Sequence, residues 1–241
     1  MPLRTAALLP VAPPPATGKF ATAETQQTPY PFFMAIMAAI EAREPATVGR
    51  SRLIALHAVA TARALLLPDD VVDTVRIGAL LANIGTLSIP EAILHKAEAL
   101  SAEELATIRH HCVLGAEMLA VVPQLRGVLP VVLHHHEDFS GTGYPHKLSG
   151  EEIPLGARII RVVETYDALT SPRPYRPAFI PTDALQLIAN GAGREFDPRV
   201  VNAFTARMHR NLAIHDEILD RWHDLQRQAR VWQMITQAKL S

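Results

Sequence analysis

Helix-start signals recur along this chain, and no other regular pattern competes with them. Pro68 stands ahead of Asp69-Asp70, Ser101 is spaced from Glu104 as in a capping box, and Pro154, Pro181 and Asp197-Pro198 open further segments. Between these marks apolar residues return at every third or fourth position, as at Val71, Val72, Val75 and Ala79, or at Leu105, Ile108, Val113 and Leu119. Side chains at that spacing share one helical face, so each segment has an apolar stripe to bury against a neighbour. No stretch alternates with period two between hairpin turns. The pattern predicts an all-α fold from about Pro31, without internal repeats. At 49% hydrophobic residues over 241 positions there is ample material for a sizeable core.

The two ends differ from this body. Residues 1–30 scatter Pro2, Pro10, Pro13, Pro14, Pro15 and Pro29 among Ala, Thr and Gln, which predicts a disordered tail. The apolar run Ala6 to Leu9 is cut by Pro10 and preceded only by Arg4, unlike an export signal. Phe32 to Ile40 is far shorter than the ~20 residues that span a bilayer, so no membrane anchor is expected. At the other end, residues 210–241 read as a C-terminal helix. Its stripe of Ile218, Trp222, Leu225, Ala229 and Trp232 either packs back onto the domain of residues 31–209 or pairs two chains into a homodimer. Lys plus Arg is 23 against 24 acidic residues, a balance that gives no general attraction to nucleic acid or to an anionic membrane. One cysteine, Cys112, excludes an intrachain disulfide and fits a reducing cytoplasm. It reads as a small buried hydrophobe.

Chemistry concentrates in His134-His135-His136-Glu137-Asp138-Phe139-Ser140-Gly141-Thr142-Gly143-Tyr144-Pro145. This string resembles the His-His-Glu and Gly-Tyr-Pro signature of the HD-GYP family, metal-dependent phosphodiesterases that hydrolyse cyclic di-GMP. Other stretches match in order. They are Ile40-Glu41-Ala42-Arg43-Glu44-Pro45, Ile89-Pro90, Leu100 to Glu104 with His111 and Gly115, Tyr166 to Ser171, Arg173-Pro174-Tyr175-Arg176 and Phe196-Asp197-Pro198. The resemblance implies a multi-helix HD-GYP-like bundle with a C-terminal extension.

It also implies a pair of metal positions. One would draw on Arg50, Ala82, Asn83 and Glu164, where the family carries a histidine, its His-Asp dyad and an aspartate. A guanidinium, a methyl and a neutral amide cannot replace those ligands, so this position is expected to be empty, with Arg50 paired to Glu164 or Asp167 instead. The other would draw on His111, His135 and His136, all present, and suits one divalent ion such as Zn, Fe or Mn. Glu164 is a possible fourth ligand there. Equally, the three histidines can persist as hydrogen-bonded cleft residues without metal. His57, His95 and His146 carry no spacing signal and read as surface or packing residues. The family's phosphate-stabilising lysine falls at Thr86.

The resemblance therefore points to a catalytically degenerate domain that works as a nucleotide-binding or interaction module in bacterial cyclic di-GMP signalling. The alternative is a single-metal phosphohydrolase using His111, His135 and His136. Arg173, Tyr175 and Arg176 are candidate phosphate and base contacts, or partners in local salt bridges. The Gly143-Tyr144-Pro145 loop is a candidate surface for a GGDEF-domain partner.

Overall fold

The computed structural model describes residues 30–43, 49–96, 98–172 and 177–210. Among them the chain forms α1 (Tyr30–Arg43), α2 (Arg50–Ala64), α3 (Asp69–Leu81), α4 (Glu91–Leu94), α5 (Ala102–Arg109), α6 (His111–Ala120), α7 (Leu129–His134), α8 (Leu155–Thr170), α9 (Pro181–Asn190) and α10 (Pro198–Arg210). No strand occurs among the described residues; two isolated bridges, Ser140 to Ser149 and Ala192 to Phe196, pin loops. The expected tail over residues 1–30 lies outside the described residues apart from Tyr30, and the C-terminal helix expected over residues 210–241 lies outside them apart from Arg210.

The start signals work as their chemistry requires. Ser101 accepts from the Glu104 amide while the Glu104 carboxylate takes the Ser101 amide, satisfying two donors at the head of α5. Pro68 and Pro154 precede α3 and α8, and Pro181 opens α9. Asp197 accepts from the Arg199 amide at 2.8 Å at the head of α10. Helices α2, α3 and α8 pack on one another around Ala58, Ala62, Val75, Leu81, Ile160 and Val163, with α10 closing the side through Phe204.

One stretch, Asp69–Ser88, is long and apolar enough to cross a membrane by length and composition, yet 61% of it is buried inside the domain. Its apolar face is buried against the core, while Asp73 and Arg76 pair on the exposed side, as in the core helix of a globular domain. The apolar recurrence from Leu105 to Leu119 is not one continuous stripe. The chain turns at His110, so α5 carries no buried residue while α6 buries His111, Cys112, Gly115 and Leu119.

The segment after α3 places the site. Beyond Leu81 the backbone leaves the α-helix at Asn83 and tightens into a 3₁₀ turn over Ile84–Ser88, held by Thr86 Oγ1 donating to the Asn83 carbonyl at 2.8 Å. Gly85 in this turn lies against α6 so closely that a Cβ would sit 1.9 Å from the His111 carbonyl oxygen. Only glycine permits that approach. From α1, the Arg43 guanidinium donates to the carbonyls of Leu87 and Ile89, tying down the chain just past the turn.

Candidate metal centre

Three imidazoles and one thiol converge between α6 and the residues just after α7. His111 Nδ1 lies 2.8 Å from the Ile108 carbonyl and His135 Nδ1 lies 2.6 Å from the Val132 carbonyl. A carbonyl only accepts, so in each neutral ring Nδ1 carries the proton and Nε2 presents its lone pair. These two Nε2 atoms face one another at 3.2 Å. His136 stands beside them, its ring centroid 4.2 Å from that of His135 and 5.2 Å from that of His111. Burial, then the charge each ring would place on the other, pushes His111 down to about 4. Burial also takes His135 to about 4 and His136 well below its ordinary value. All three are neutral at pH 7, and lone pairs held face to face fit a shared cation.

The opposite half of the cleft is arranged differently. Ala82 is wholly buried and offers no donor atom. The Asn83 amide donates to Glu164 Oε1 at 3.0 Å, and Arg50 Nε donates to Asp167 Oδ2 at 2.7 Å, with a second bond from its terminal nitrogen. Arg50 thus pairs with Asp167 and not with Glu164, the other partner the sequence allowed. Burial raises the Glu164 carboxyl to about 7, against the lowering influence of His111 and of the Asn83 bond. Glu164 is not among the four donors that lie within 4.8 Å of one another, which among the described residues are His111, Cys112, His135 and His136. Cys112 Sγ is the fourth donor atom of that group.

Cys112 joins the histidine cluster although the sequence pattern does not mark it. It is fully buried as expected, but its Sγ lies 3.6 Å from His111 Nε2 and 4.0 Å from His135 Nδ1. Burial and the charge of Glu164 push the thiol well above its ordinary value, so without a cation it stays protonated. Adjacency to His111 was the one available signal, and adjacent helical residues ordinarily point to different neighbours.

The Gly143-Tyr144-Pro145 loop forms the rim. Tyr144 stacks on His136 with centroids 4.9 Å apart, and the Arg109 guanidinium lies 5.3 Å from the tyrosine ring. Glu137, buried, accepts from the His146 amide at 2.7 Å, and Gly143 lies so close that a Cβ would meet the Asp138 amide nitrogen at 2.2 Å. Asp138 takes two bonds from Arg161, at 2.8 and 3.2 Å, anchoring the loop to α8. His57 packs edge-on against Tyr166 and Phe204, and His95 is exposed. His146 is exposed, and its Nδ1 meets His134 Nε2 at 3.0 Å. Arg173, Tyr175 and Arg176 lie outside the described residues.

A domain, helical among its described residues, that gathers histidines from α6 and the turn after α7 in this way defines a class, and residues 35–200 match the HD domain family. The chain belongs to that family. It is 39% identical over 141 residues to a cyclic di-GMP phosphodiesterase of Vibrio cholerae serotype O1, covering 56% of this chain and 29% of the relative. With a cyclic di-GMP phosphodiesterase of Pseudomonas aeruginosa it shares 42% over 147 residues, covering 61% of this chain and 35% of that protein. The chain thus spans about a third of the length of these curated relatives. A solved structure of an HDG"Y"P protein from Bdellovibrio bacteriovorus shares the fold, with a TM-score of 0.54, 17% identity, and coverage of 74% of this chain and 60% of that one.

Proposed function

We propose that this HD domain takes part in cyclic di-GMP signalling in the bacterial cytoplasm as a binding or interaction module without hydrolysing the nucleotide. The observation that carries the reading is the Arg50–Asp167 and Asn83–Glu164 pairing. Two carboxylates that a cation would otherwise neutralise are already engaged by a guanidinium and an amide, and Ala82 adds no ligand. The residues there do not fit an ion.

The residues of the other half do fit one. His111, His135 and His136 would hold a divalent ion such as Zn, Fe or Mn, which when bound supplies Lewis acidity. Around it, His111 and His135 are oriented by the carbonyls of Ile108 and Val132, and Tyr144 covers His136. Thr86, at the position of the family's lysine, donates its hydroxyl to the Asn83 carbonyl and brings no positive charge to a phosphate. Losing that charge together with one metal position removes groups that act as a unit. The Gly143-Tyr144-Pro145 rim is the surface offered to a GGDEF-type partner.

A second reading, a single-metal phosphohydrolase, draws on the same convergence of imidazoles. One experiment separates them. Metal-loaded protein is titrated calorimetrically with cyclic di-GMP, and parallel samples are chromatographed for linear dinucleotide. Saturable binding without product is the expected result. Product that depends on metal and disappears in His135→Ala would establish the hydrolase.

A further inference from the structure

We infer that Cys112 is a metal ligand, completing a closed site of three imidazoles and one thiolate. The inference rests on the single-ion half of the cleft and adds to it the donor that the family pattern does not supply.

Donor spacing carries the argument. Around a tetrahedral zinc ion, metal–nitrogen bonds of about 2.0–2.1 Å and a metal–sulfur bond of about 2.3 Å put nitrogens about 3.3–3.4 Å apart, and nitrogen and sulfur about 3.5–3.6 Å apart. His111 and His135 present their Nε2 atoms 3.2 Å apart, and Cys112 Sγ lies 3.6 Å from His111 Nε2. Two edges of the tetrahedron are thus already set in a buried cluster whose remaining donors lie within 4.8 Å.

Charge gives a second, independent reason. Three neutral imidazoles leave the full charge of a dication in a buried place, which is costly without an anionic ligand. Asn83 supplies none, and its amide is turned to Glu164. Cys112 is the remaining member of the cluster that can become an anion, its proton passing to solvent as the ion enters. With sulfur in the fourth position, no site is left open for a metal-bound water. Such closed sites hold structure together, and the soft donor selects zinc or iron over magnesium or manganese.

Cobalt(II) alone is the probe. The chain has a single cysteine, so a sulfur-to-cobalt charge-transfer band in the near ultraviolet identifies Cys112 without mutagenesis. Metal-stripped protein of this sequence titrated with cobalt should develop that band with the intense visible absorption of a tetrahedral ion, saturating at one equivalent. Added zinc should abolish both. Cys112→Ser should lose the band and, as ligand losses exceed the 10–100-fold effects of outer-shell changes, weaken zinc binding at least about tenfold. Cobalt bound with weak visible absorption and no charge-transfer band would overturn the inference, as would no uptake at all. Should Cys112→Ser fail to fold, the wild-type spectrum decides alone. No nucleotide is in the cuvette, so this result stands apart from the cyclic di-GMP titration.

Discussion

The two halves of the cleft handle buried polar groups in opposite ways. On the α2–α8 side, Asp167 and Glu164 each accept from a protein donor, Arg50 and Asn83 respectively. On the α6–α7 side, His111 and His135 aim lone pairs at each other with a thiol alongside. The first arrangement sets protein donors against its carboxylates, whereas the second sets lone pairs together that a cation would fit. Under the proposed function, one ion position is given up by substitution while its neighbour stays poised, because different elements supply the two donor sets.

The largest test of this contrast is Arg50→Ala. Asp167 is 4% exposed, and stripping a buried carboxylate of its guanidinium typically costs about 3–5 kcal/mol. Urea unfolding should show that loss, with part of it recovered in Arg50→Ala/Asp167→Asn. A cost below about 1 kcal/mol would mean that the pair is not what stabilises this half. Gly143→Ala acts on the other half. The new methyl would press on the Asp138 amide and Glu137, at an overpacking cost of about 1–3 kcal/mol, and would move Tyr144 off His136. Metal uptake should fall in this variant and be untouched in Arg50→Ala that remains folded.

The smallest effect is read from pH. The Glu164 carboxyl, raised from 4.5 to about 7, holds a proton in the folded chain that the unfolded chain has released. Its contribution to stability is complete below pH 4.5 and is lost as pH rises through 7. His111 and His135 run the other way. Lowered from 6.5 to about 4, they contribute above 6.5, and that contribution is lost as pH falls through 4. Glu164→Gln should therefore remove only the declining component, making metal-free stability rise more steeply between pH 4.5 and 7. An unchanged slope in urea titrations would show that Glu164 ionises normally.

How far the sequence could be read depended on how local the determinant was. The Ser101–Glu104 capping box and the proline starts lie within a turn of what they control, and they stand as expected. The turn at His110 was hidden because Leu105 and Ile108 keep helical spacing while the α5 face they share is not buried. The HD domain and its histidines were legible only through ordered motif matches, since His111 and His135 are brought together by tertiary packing of α6 with α7. Arg50 pairing with Asp167 was one of two options left by the pattern. The approach of Cys112 to the imidazoles depends on a side-chain direction that spacing does not encode.

Gly85 bears on any attempt to rebuild what this chain lacks. Its backbone lies against the His111 carbonyl with no clearance for even a methyl group, two residues after Asn83. The strip that would receive a grafted His-Asp pair at positions 82 and 83 is therefore clamped to the helix bearing His111 and Cys112. A graft could not settle by sliding the main chain. It would have to work from the present anchor points or displace the neighbouring helix, so installing a two-ion chemistry here means re-engineering both halves together.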